Sequence, residues 1–213
     1  MKTKESFKNY CTIYLIRHGE TDWNSKRLMQ GQTDIPLNEK GEKQAKEIAK
    51  RLTNVNFDLI FSSNLLRAKR TAEIIALEKK IAVQTTNLLR ERSFGSLEGK
   101  HVDEVLKILK TDIKKLRTVI SERAKEFGAE TDEEVISRFL TFIREVAIAW
   151  PGKNVLVVSH GSLIRIFLTK IGFLTKKDNE TVVIKNLALV KFLTDGVDFF
   201  VKETWGIERE GLI

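Results

Sequence analysis

The chain has 213 residues, of which 42% are hydrophobic and 31% are charged. This balance excludes a disordered chain and favours one large domain over two. The formal net charge of +8 suggests an anionic partner, but it does not distinguish a nucleic acid, a membrane or a small phosphate.

The single cysteine, Cys11, excludes an intramolecular disulfide and a multi-cysteine zinc site. No apolar run approaches the ~18 residues that a membrane helix needs. The polar N-terminal segment also lacks the apolar centre of a signal peptide. We therefore expect a cytoplasmic protein that does not act at a membrane.

Short apolar runs alternate with helical stretches along the chain. Continuous apolar or β-branched runs predict strands at 12–16, 57–61, 81–84 and 154–159. Apolar residues at helical spacing predict helices at 39–52, 65–77, 131–149 and 162–170. Asn38 is the predicted N-cap of the first of these helices, and Thr131 forms a capping box with Glu134 before the third.

Two further segments complete the predicted architecture. Residues 101–123 contain no glycine or proline, and we expect one lysine-rich helix there. Apolar runs at 187–193 and 197–202 flank a Thr-Asp-Gly turn signal, which predicts a hairpin. Together the elements predict an α/β fold, a three-layer α/β/α sandwich over residues 1–213. Its central sheet is mostly parallel, with a C-terminal hairpin and a helical cap at about 100–130.

Histidine and arginine side chains follow the three strongest predicted strands. Arg17 and His18 follow the first, Arg67 lies just beyond the second, and His160 and Gly161 follow the third. Loops at the carboxyl ends of parallel strands line the binding crevice, so we expect these residues to converge. Guanidinium groups match phosphate oxygens, imidazole acts as a nucleophile or a donor, and glycine lets the backbone approach a ligand. The sequence therefore predicts a phosphate site.

The segments around these residues resemble the histidine phosphatase superfamily, in its phosphoglycerate mutase-like branch. The resemblance extends through most of the chain. It rests on four segments in their proper order, which are LIRHGETDWN at 15–24, SSNLLRA at 62–68, LRERSFG at 89–95 and VSHG at 158–161. The last three look most like, in turn, the second arginine segment, the acidic segment and the second histidine segment of that family.

The resemblance implies a role for each matching residue. His18 would attack phosphorus and become a phosphohistidine, while Arg17, Arg67 and a protonated His160 would hold the phosphoryl oxygens. Glu91 would protonate the leaving oxygen and then take a proton from the attacking water. Phosphoryl transfer needs mainly in-line positioning and neutralisation of charge. The two arginines and the protonated histidine supply that charge without a metal, so we expect no cofactor.

Other residues are expected to bind the substrate around this centre. By resemblance, Asn24 and the Gln30–Gly31 backbone would complete the phosphate pocket. Arg92 follows the catalytic acid, and Glu130 lies in a Gly-Ala-Glu-Thr segment that resembles a family loop at the edge of the active site. That loop usually carries two glycines, and Ala129 departs from the pattern.

Two alternatives compete with these interpretations. His18, His160 and a carboxylate are also a possible metal-ligand set, although the flanking arginines would repel a cation.

The lysines and arginines of 107–125 give this segment an excess of positive charge. The default interpretation of that excess is a solvated helix face. A nucleic-acid-binding surface would require aromatic residues among the basic ones, and none occurs in this segment before Phe127. The alternative that this segment attracts a charged phosphate electrostatically stays open.

The family divides into phosphatases and mutases, and the sequence favours a phosphatase. Mutases of this type use an arginine-rich insertion between the acidic segment and the second histidine, but no adjacent arginine pair lies between Glu91 and His160. Arg92 is the counter-evidence, because mutases also have arginine beside the catalytic acid. The segments look most like fructose-2,6-bisphosphatase-like phosphatases, closely followed by broad-specificity phosphatases. We expect the substrate to be a small phosphorylated metabolite, and we expect no nucleic-acid partner. The alternative activity is that of a bisphosphoglycerate-dependent mutase. The sequence leaves open whether the protein forms a homodimer.

Overall fold

The computed structural model describes residues 9–175 and 178–209. These residues form a mixed six-stranded sheet in the order β3-β2-β4-β1-β5-β6. The pairs β3-β2, β2-β4 and β4-β1 are parallel, whereas β5 and β6 run antiparallel to their neighbours. The strands are β1 (Cys11–Arg17), β2 (Leu59–Ser63), β3 (Val83–Thr86), β4 (Asn154–Ser159), β5 (Val182–Thr194) and β6 (Phe199–Arg209).

Helices cover both faces of the sheet, which confirms the predicted three-layer arrangement. One apolar cluster joins α2 and α3 to one face, and a second joins α6 and α7 to the other. The helices are α1 (Asp22–Ser25), α2 (Glu39–Arg51), α3 (Leu66–Lys79), α4 (Val102–Leu109), α5 (Leu116–Glu122), α6 (Asp132–Ala149), α7 (Gly161–Lys170) and α8 (Asp178–Thr181). Within the described ranges, none of them is long and apolar enough to cross a bilayer.

The position of β1 in the centre of the sheet explains why polar residues do not alternate with apolar ones along this strand. Ile13 and Leu15 face the cluster under α6 and α7, whereas Tyr14 and Ile16 face the cluster under α2 and α3. A parallel strand covered on both faces needs apolar side chains at every position. Its register with β4 pairs Arg17 with Ser159, so the residues that follow the two strands emerge at the same edge of the sheet.

The predicted caps are present, and two predicted strands, β2 and β3, are displaced. The Asn38 side chain accepts a hydrogen bond from the N–H of Gly41, and the capping box of Thr131 is complete. Strand β3 begins two residues later than predicted, at Val83, and strand β2 also begins two residues later than predicted. The displaced start follows from Asp58, whose carboxylate accepts the backbone N–H of Asn154 at 2.8 Å and so ties the chain to the start of β4.

The single helix predicted for 101–123 is wrong. The chain forms α4, a turn and α5, because Lys110 ends α4 in the left-handed conformation with φ of 50°. The Asp112 carboxylate then accepts the backbone N–H groups of Lys114 and Lys115, a local bond that competes with helix formation. The two helices pack around a small apolar cluster, separate from those under the sheet, of Leu97, Val105, Leu109, Leu116 and Ile120.

The C-terminal hairpin is confirmed and is longer than predicted. Strands β5 and β6 pair from Val182 with Arg209 to Thr194 with Phe199. The turn between them is held by Asp195, whose carboxylate accepts the N–H groups of Val197 and Asp198. Strand β5 also pairs with β1, so the hairpin extends the sheet on the side away from β3.

Candidate active site

A cavity of about 210 Å³ opens at the carboxyl ends of β1 and β4. Three of its walls come from predicted segments, namely the loop after β1, the start of α3 and the segment before α4. Helices α5 and α7 close the remaining sides. The predicted site residues that line it are Arg17, His18, Asn24, Gln30, Gly31, Arg67, Glu91 and Arg92.

His18 is buried in a setting that keeps its imidazole neutral. Its Nδ1 lies 2.7 Å from the carbonyl oxygen of Gly19, which only accepts hydrogen bonds, so Nδ1 carries the proton and Nε2 carries the lone pair. Burial, followed by the charges of Arg67 and Arg17, holds the pKa of His18 well below its ordinary value. A neutral imidazole with a fixed tautomer and a free lone pair is suited to nucleophilic attack.

His160 lies against His18, with 5.1 Å between the ring centroids. Its ring is fully buried, and neither nitrogen has a hydrogen-bond partner among the described residues. Burial and then neighbouring charges, of which Arg67 is the largest, hold its pKa well below the ordinary value. A neutral ring still donates one N–H, and the protonated His160 expected from the sequence stays a prediction for the site with a phosphoryl group bound.

The two predicted phosphate-binding arginines are held by backbone carbonyls. Arg67 is fully buried and donates to the carbonyl oxygens of Gly31 at 2.6 Å and Thr33 at 2.9 Å. Arg17 donates to the carbonyl oxygen of Ile184 at 2.6 Å. The Nε atom of each arginine has no hydrogen-bond partner among the described residues. Burial lowers the pKa of Arg67 to about 10, so the guanidinium stays charged at neutral pH and suits an oxyanion.

Glu91 lies at the N-terminus of α7, where three backbone N–H groups hold its carboxylate. Oε1 accepts from Arg92 at 2.8 Å and from Leu163 at 3.3 Å, and Oε2 accepts from Ser162 at 3.1 Å. The unpaired N–H groups of a helix start favour a carboxylate at this place. Glu91 is thereby fixed on the wall of the cavity that also holds His18.

Arg138 holds the chain segment that carries Glu91. Its guanidinium donates to the carbonyl oxygens of Leu88 at 2.9 Å, Arg90 at 2.6 Å and Glu91 at 3.0 Å. The same guanidinium forms an ion pair with Glu130 at 2.9 Å. Sequence reasoning missed Arg138, because nothing in the composition of α6 shows which of its residues reaches back to residues 88–91.

Glu130 itself lies outside the cavity lining. Besides its ion pair with Arg138, its carboxylate accepts the N–H of Ser93 at 2.8 Å and the side-chain amide of Gln32 at 3.2 Å. The predicted substrate contact is therefore replaced by a supporting position, in which Glu130 joins α6 to the segments that border the cavity.

The residues predicted to complete the phosphate pocket differ in how they are held. The Asn24 side-chain oxygen accepts from the backbone N–H of Thr21 and from the side-chain amide of Asn186, which leaves its own NH₂ group as a donor. Gln30 is buried, and its side-chain oxygen has no partner among the described residues. Gly31 has a φ of +52°, and a Cβ there would collide with the Glu98 carboxylate. Only glycine adopts this arrangement without strain.

Arg92 and Gly161 differ in their relation to the cavity, since Arg92 lines it and Gly161 does not. Arg92 is buried and donates to the carbonyl oxygen of Glu130 at 2.7 Å and to the Asp132 carboxylate at 2.8 Å. Its second terminal nitrogen, Nη2, has no partner among the described residues. Gly161 starts α7 outside the cavity lining, and a Cβ there would lie 3.3 Å from Nε of Arg17. The glycine therefore leaves room for the arginine.

The structure adds residues to the cavity that sequence reasoning missed. Arg165 lies four residues after Gly161, and this spacing places it on the same face of α7. This spacing could have identified Arg165 from the sequence. The other missed residues come from the cap and its neighbours, whose approach to the sheet is not encoded locally. They are Leu28, Met29, Phe94, Leu116, Arg117, Ile120, Asp132, Ser162 and Ile166.

The family of the chain follows from this fold and this set of residues. The model of the histidine phosphatase superfamily (branch 1) matches residues 13–206, and the chain belongs to that superfamily. The matched range contains both histidines, both carbonyl-held arginines and Glu91. The expected membership is thereby confirmed.

Similar proteins include phosphatases and a mutase. A Bacillus subtilis protein described as an uncharacterized phosphatase, PhoE, is 35% identical over 196 residues, which are 92% of each chain. The crystal structure of a Bacillus anthracis phosphoglycerate mutase has a TM-score of 0.79 at 27% identity, over 95% of this chain and 96% of that one. A mycobacterial glucosyl-3-phosphoglycerate phosphatase in complex with VO3 has a TM-score of 0.78 at 26% identity, over 92% and 98%.

Proposed function

We propose that the protein is a metal-independent phosphatase that hydrolyses a small phosphomonoester through a phosphohistidine on His18. The observation that carries this proposal is the state of His18. It is a neutral imidazole with its proton fixed on Nδ1, beside the half-buried Arg17 and the buried Arg67, whose Nε atoms have no protein partner among the described residues. A nucleophile and its charge-neutralising groups are thus brought together before the substrate binds.

The reaction proceeds in two displacements. Nε2 of His18 attacks phosphorus, and the bond from phosphorus to the ester oxygen breaks. Glu91, protonated for this step, gives its proton to that leaving oxygen. A water molecule then attacks the phosphohistidine and gives a proton to Glu91, and the bond from phosphorus to Nε2 breaks to release inorganic phosphate. The guanidinium groups of Arg17 and Arg67 neutralise the phosphoryl oxygens throughout, in the place that a metal ion takes in other phosphoryl-transfer enzymes.

The proposal is tested by trapping the phosphoenzyme. Reaction with ³²P-labelled phosphomonoester in the presence of EDTA should give acid-labile, base-stable label on the wild type and on His101→Ala. His101 is the matched control, because it lies outside the cavity and caps α4. His18→Ala should carry no label and release no phosphate. Undiminished hydrolysis in His18→Ala would contradict the proposal.

A mutase is the second candidate, and Arg92 is the observation that favours it. Its Nη2 has no hydrogen-bond partner in the part of the chain that the structure describes, which favours a further anionic contact beside Glu91, as a phosphoglycerate mutase would need to hold its substrate. The similarity to the Bacillus anthracis mutase supports the same candidate. The two are separated by supplying 2,3-bisphosphoglycerate and 3-phosphoglycerate. A mutase forms 2-phosphoglycerate faster than it releases phosphate, whereas the proposed phosphatase does the reverse.

A further inference from the structure

Glu98 is a half-buried carboxylate outside the cavity lining, and the proposed reaction gives it no role. Its Oε1 accepts the backbone N–H groups of Gln32 at 3.0 Å and Phe94 at 2.9 Å. Its Oε2 accepts the backbone N–H of Thr33 at 2.9 Å and the hydroxyl of the same residue at 2.6 Å. Hydrogen bonds to a carboxylate are about twice as strong as those between neutral groups. Glu98 therefore fastens the loop that contains Gln32 and Thr33 to the segment that contains Phe94.

The loop at 31–33 connects Glu98 to Arg67. The peptide group that ends in the N–H of Gln32 donates this N–H to Glu98, and its carbonyl oxygen accepts from Arg67 at 2.6 Å. Thr33 also binds both side chains, since its carbonyl oxygen accepts from Arg67 at 2.9 Å. Each hydrogen bond polarises the peptide group in the sense that strengthens the bond on its other side. The guanidinium is therefore tied to the carboxylate through the backbone of the loop.

Gly31 allows the close contact between the loop and Glu98. Its φ is +52°, and a Cβ there would collide with the Glu98 carboxylate. Beside this contact, backbone groups join the same two chain segments. The N–H of Gly99 donates to the carbonyl oxygen of Met29 at 2.8 Å, and the N–H of Met29 donates to the carbonyl oxygen of Lys100 at 3.0 Å. The carboxylate is thereby held against the loop before a ligand binds, which keeps the entropic cost of ordering the site small.

The bonds to the loop fix the orientation of Arg67. Its Nη1 donates to the carbonyl oxygen of Thr33 and its Nη2 to that of Gly31, which sets the plane of the guanidinium. The Nε atom is buried and has no hydrogen-bond partner in the described ranges. Burial lowers the pKa of Arg67 to about 10, and nearby carboxylates, with Glu91 first and Glu98 among them, counteract burial. Glu98 thus contributes both to the charge and to the orientation of the arginine.

We propose that Glu98 is a positioning residue, which acts through the 31–33 loop and fixes Arg67 in the orientation that binds the phosphoryl group. This inference rests on the proposed phosphatase function, because the phosphoryl group is the ligand that the arginine would bind. It assigns a role to a carboxylate that touches no reacting atom. Because the loop lies between the two side chains, the effect of Glu98 on phosphate binding should depend on Arg67.

The first substitution is Glu98→Gln, which keeps the size of the side chain and removes one acceptor. Both carboxylate oxygens accept backbone N–H groups, so the amide nitrogen must face one of these donors in either orientation. We expect inorganic phosphate, titrated by ³¹P NMR, to bind about 10- to 100-fold more weakly, the factor that a charged hydrogen bond contributes. Glu104→Gln is the matched control, because Glu104 is exposed on α4 and pairs with Lys100 outside the cavity lining. Its phosphate affinity should be unchanged.

A double-substitution cycle separates an action through Arg67 from a general loosening of the loop. Arg67→Lys keeps the positive charge, so phosphate still binds, but an ammonium group lacks the planar fork that the two carbonyl oxygens hold. In this background Glu98→Gln should weaken phosphate binding by less than about threefold. A general loosening would also displace the Gln30–Gly31 backbone, and it would give the same factor in both backgrounds.

Kinetics with two leaving groups separate an action through Arg67 from one through Glu91. The comparison is needed because Glu98 also holds the backbone N–H of Phe94, close in sequence to the proton donor. Glu98→Gln should lower kcat/KM by the same factor for an alkyl phosphate and for p-nitrophenyl phosphate, since the phosphoryl group is common to both. A larger loss with the alkyl phosphate would indicate an action through Glu91 and would overturn the proposal.

Thr33→Val keeps the test open if Glu98→Gln fails to fold, because it removes only the hydroxyl bond to Glu98. Phosphate should then bind about two- to fivefold more weakly, and the effect should disappear in the Arg67→Lys background. Unchanged phosphate affinity in Glu98→Gln would overturn the positioning role, as would an equal factor in both backgrounds or a wild type that does not bind phosphate. Failure of the proposed function is recognised separately by the phosphoenzyme experiment, because phosphate binding at equilibrium does not depend on turnover.

Discussion

The two ends of the cavity are built in different ways. At the sheet end, Arg17, His18, Arg67 and His160 follow buried strands or begin helices packed on them, and the arginines are held by backbone carbonyls. At the cap end, Leu116, Arg117 and Ile120 project from the short helix α5, which packs on its own small apolar cluster. We therefore expect the sheet end to hold the groups that need exact placement for chemistry, and the cap end to affect which substrates bind.

The two ends of the cavity differ in how rigidly the elements that carry their side chains are held. A strand paired on both sides and covered by helices holds its end within a fraction of an ångström, as a phosphoryl-transfer centre requires. A seven-residue helix on a five-residue cluster is held by fewer contacts and tolerates change more easily. We therefore expect substitutions at the sheet end to affect turnover and substitutions at the cap end to affect stability and selectivity.

The largest effect should come from Glu91→Gln at the sheet end. The amide keeps the size of the side chain but transfers no proton, so kcat should fall by about 10²–10⁴-fold. Binding of inorganic phosphate should change much less. Steady-state kinetics with a poor alkyl leaving group measure the loss, and p-nitrophenyl phosphate, which needs less protonation, should be affected less. Glu133→Gln, on an exposed position of α6, is the control. A loss equal for both leaving groups would contradict the role of Glu91 as proton donor.

A smaller effect is expected from Leu109→Ala inside the cap. Leu109 is 3% exposed and belongs to the cap cluster without lining the cavity. Removing a buried leucine side chain costs about 2–5 kcal/mol in the free energy of unfolding. Turnover of p-nitrophenyl phosphate should fall less than tenfold. Urea denaturation and steady-state kinetics measure the two quantities, with Leu77→Ala on the exposed face of α3 as control. A loss of turnover as large as that in Glu91→Gln would contradict the expectation that the cap end affects stability and selectivity rather than turnover.

The smallest effect concerns pH and the two buried histidines. In the folded protein their pKa values lie well below the ordinary value, so both rings stay neutral where the unfolded chain takes up protons. The free energy of unfolding should therefore fall as pH drops below about 6.5, by about 1.4 kcal/mol per unit for each histidine. Urea denaturation between pH 7.5 and 5.5 measures the slope. His18→Gln should show about half the wild-type slope, and an equal slope would contradict this assignment.

The sequence predicted the sheet end better than the cap. The runs at 12–16 and 154–159 are apolar at every position, and only a strand covered on both faces needs that pattern, so their place in the sheet followed directly. Arg17, His18 and His160 then had to lie at one edge. The break at Lys110 was missed, because the helical periodicity of 101–123 continues through it and a single aspartate bond decides the turn.

The state of His160 also depended on the tertiary structure. From the sequence it was expected to be protonated, since a positive charge beside a phosphate is favourable. Burial and the nearby arginines lower its pKa in the folded protein, so its protonation stays a prediction for the site with a phosphoryl group bound. Glu130 was placed at the substrate by resemblance, yet its carboxylate binds Arg138, a residue of α6 that no local pattern connects to it.

The sequence by itself determined the family, the sheet and the candidate site residues, because these depend on short segments whose apolar periodicity and order along the chain are local properties. Only the tertiary structure decided which further side chains face the cavity, and which charges have a partner there. Arg165 and Arg117 lie 48 positions apart, and both line one cavity because α5 and α7 each border it. Contacts of this kind arise from packing between distant segments, which no single stretch of sequence specifies.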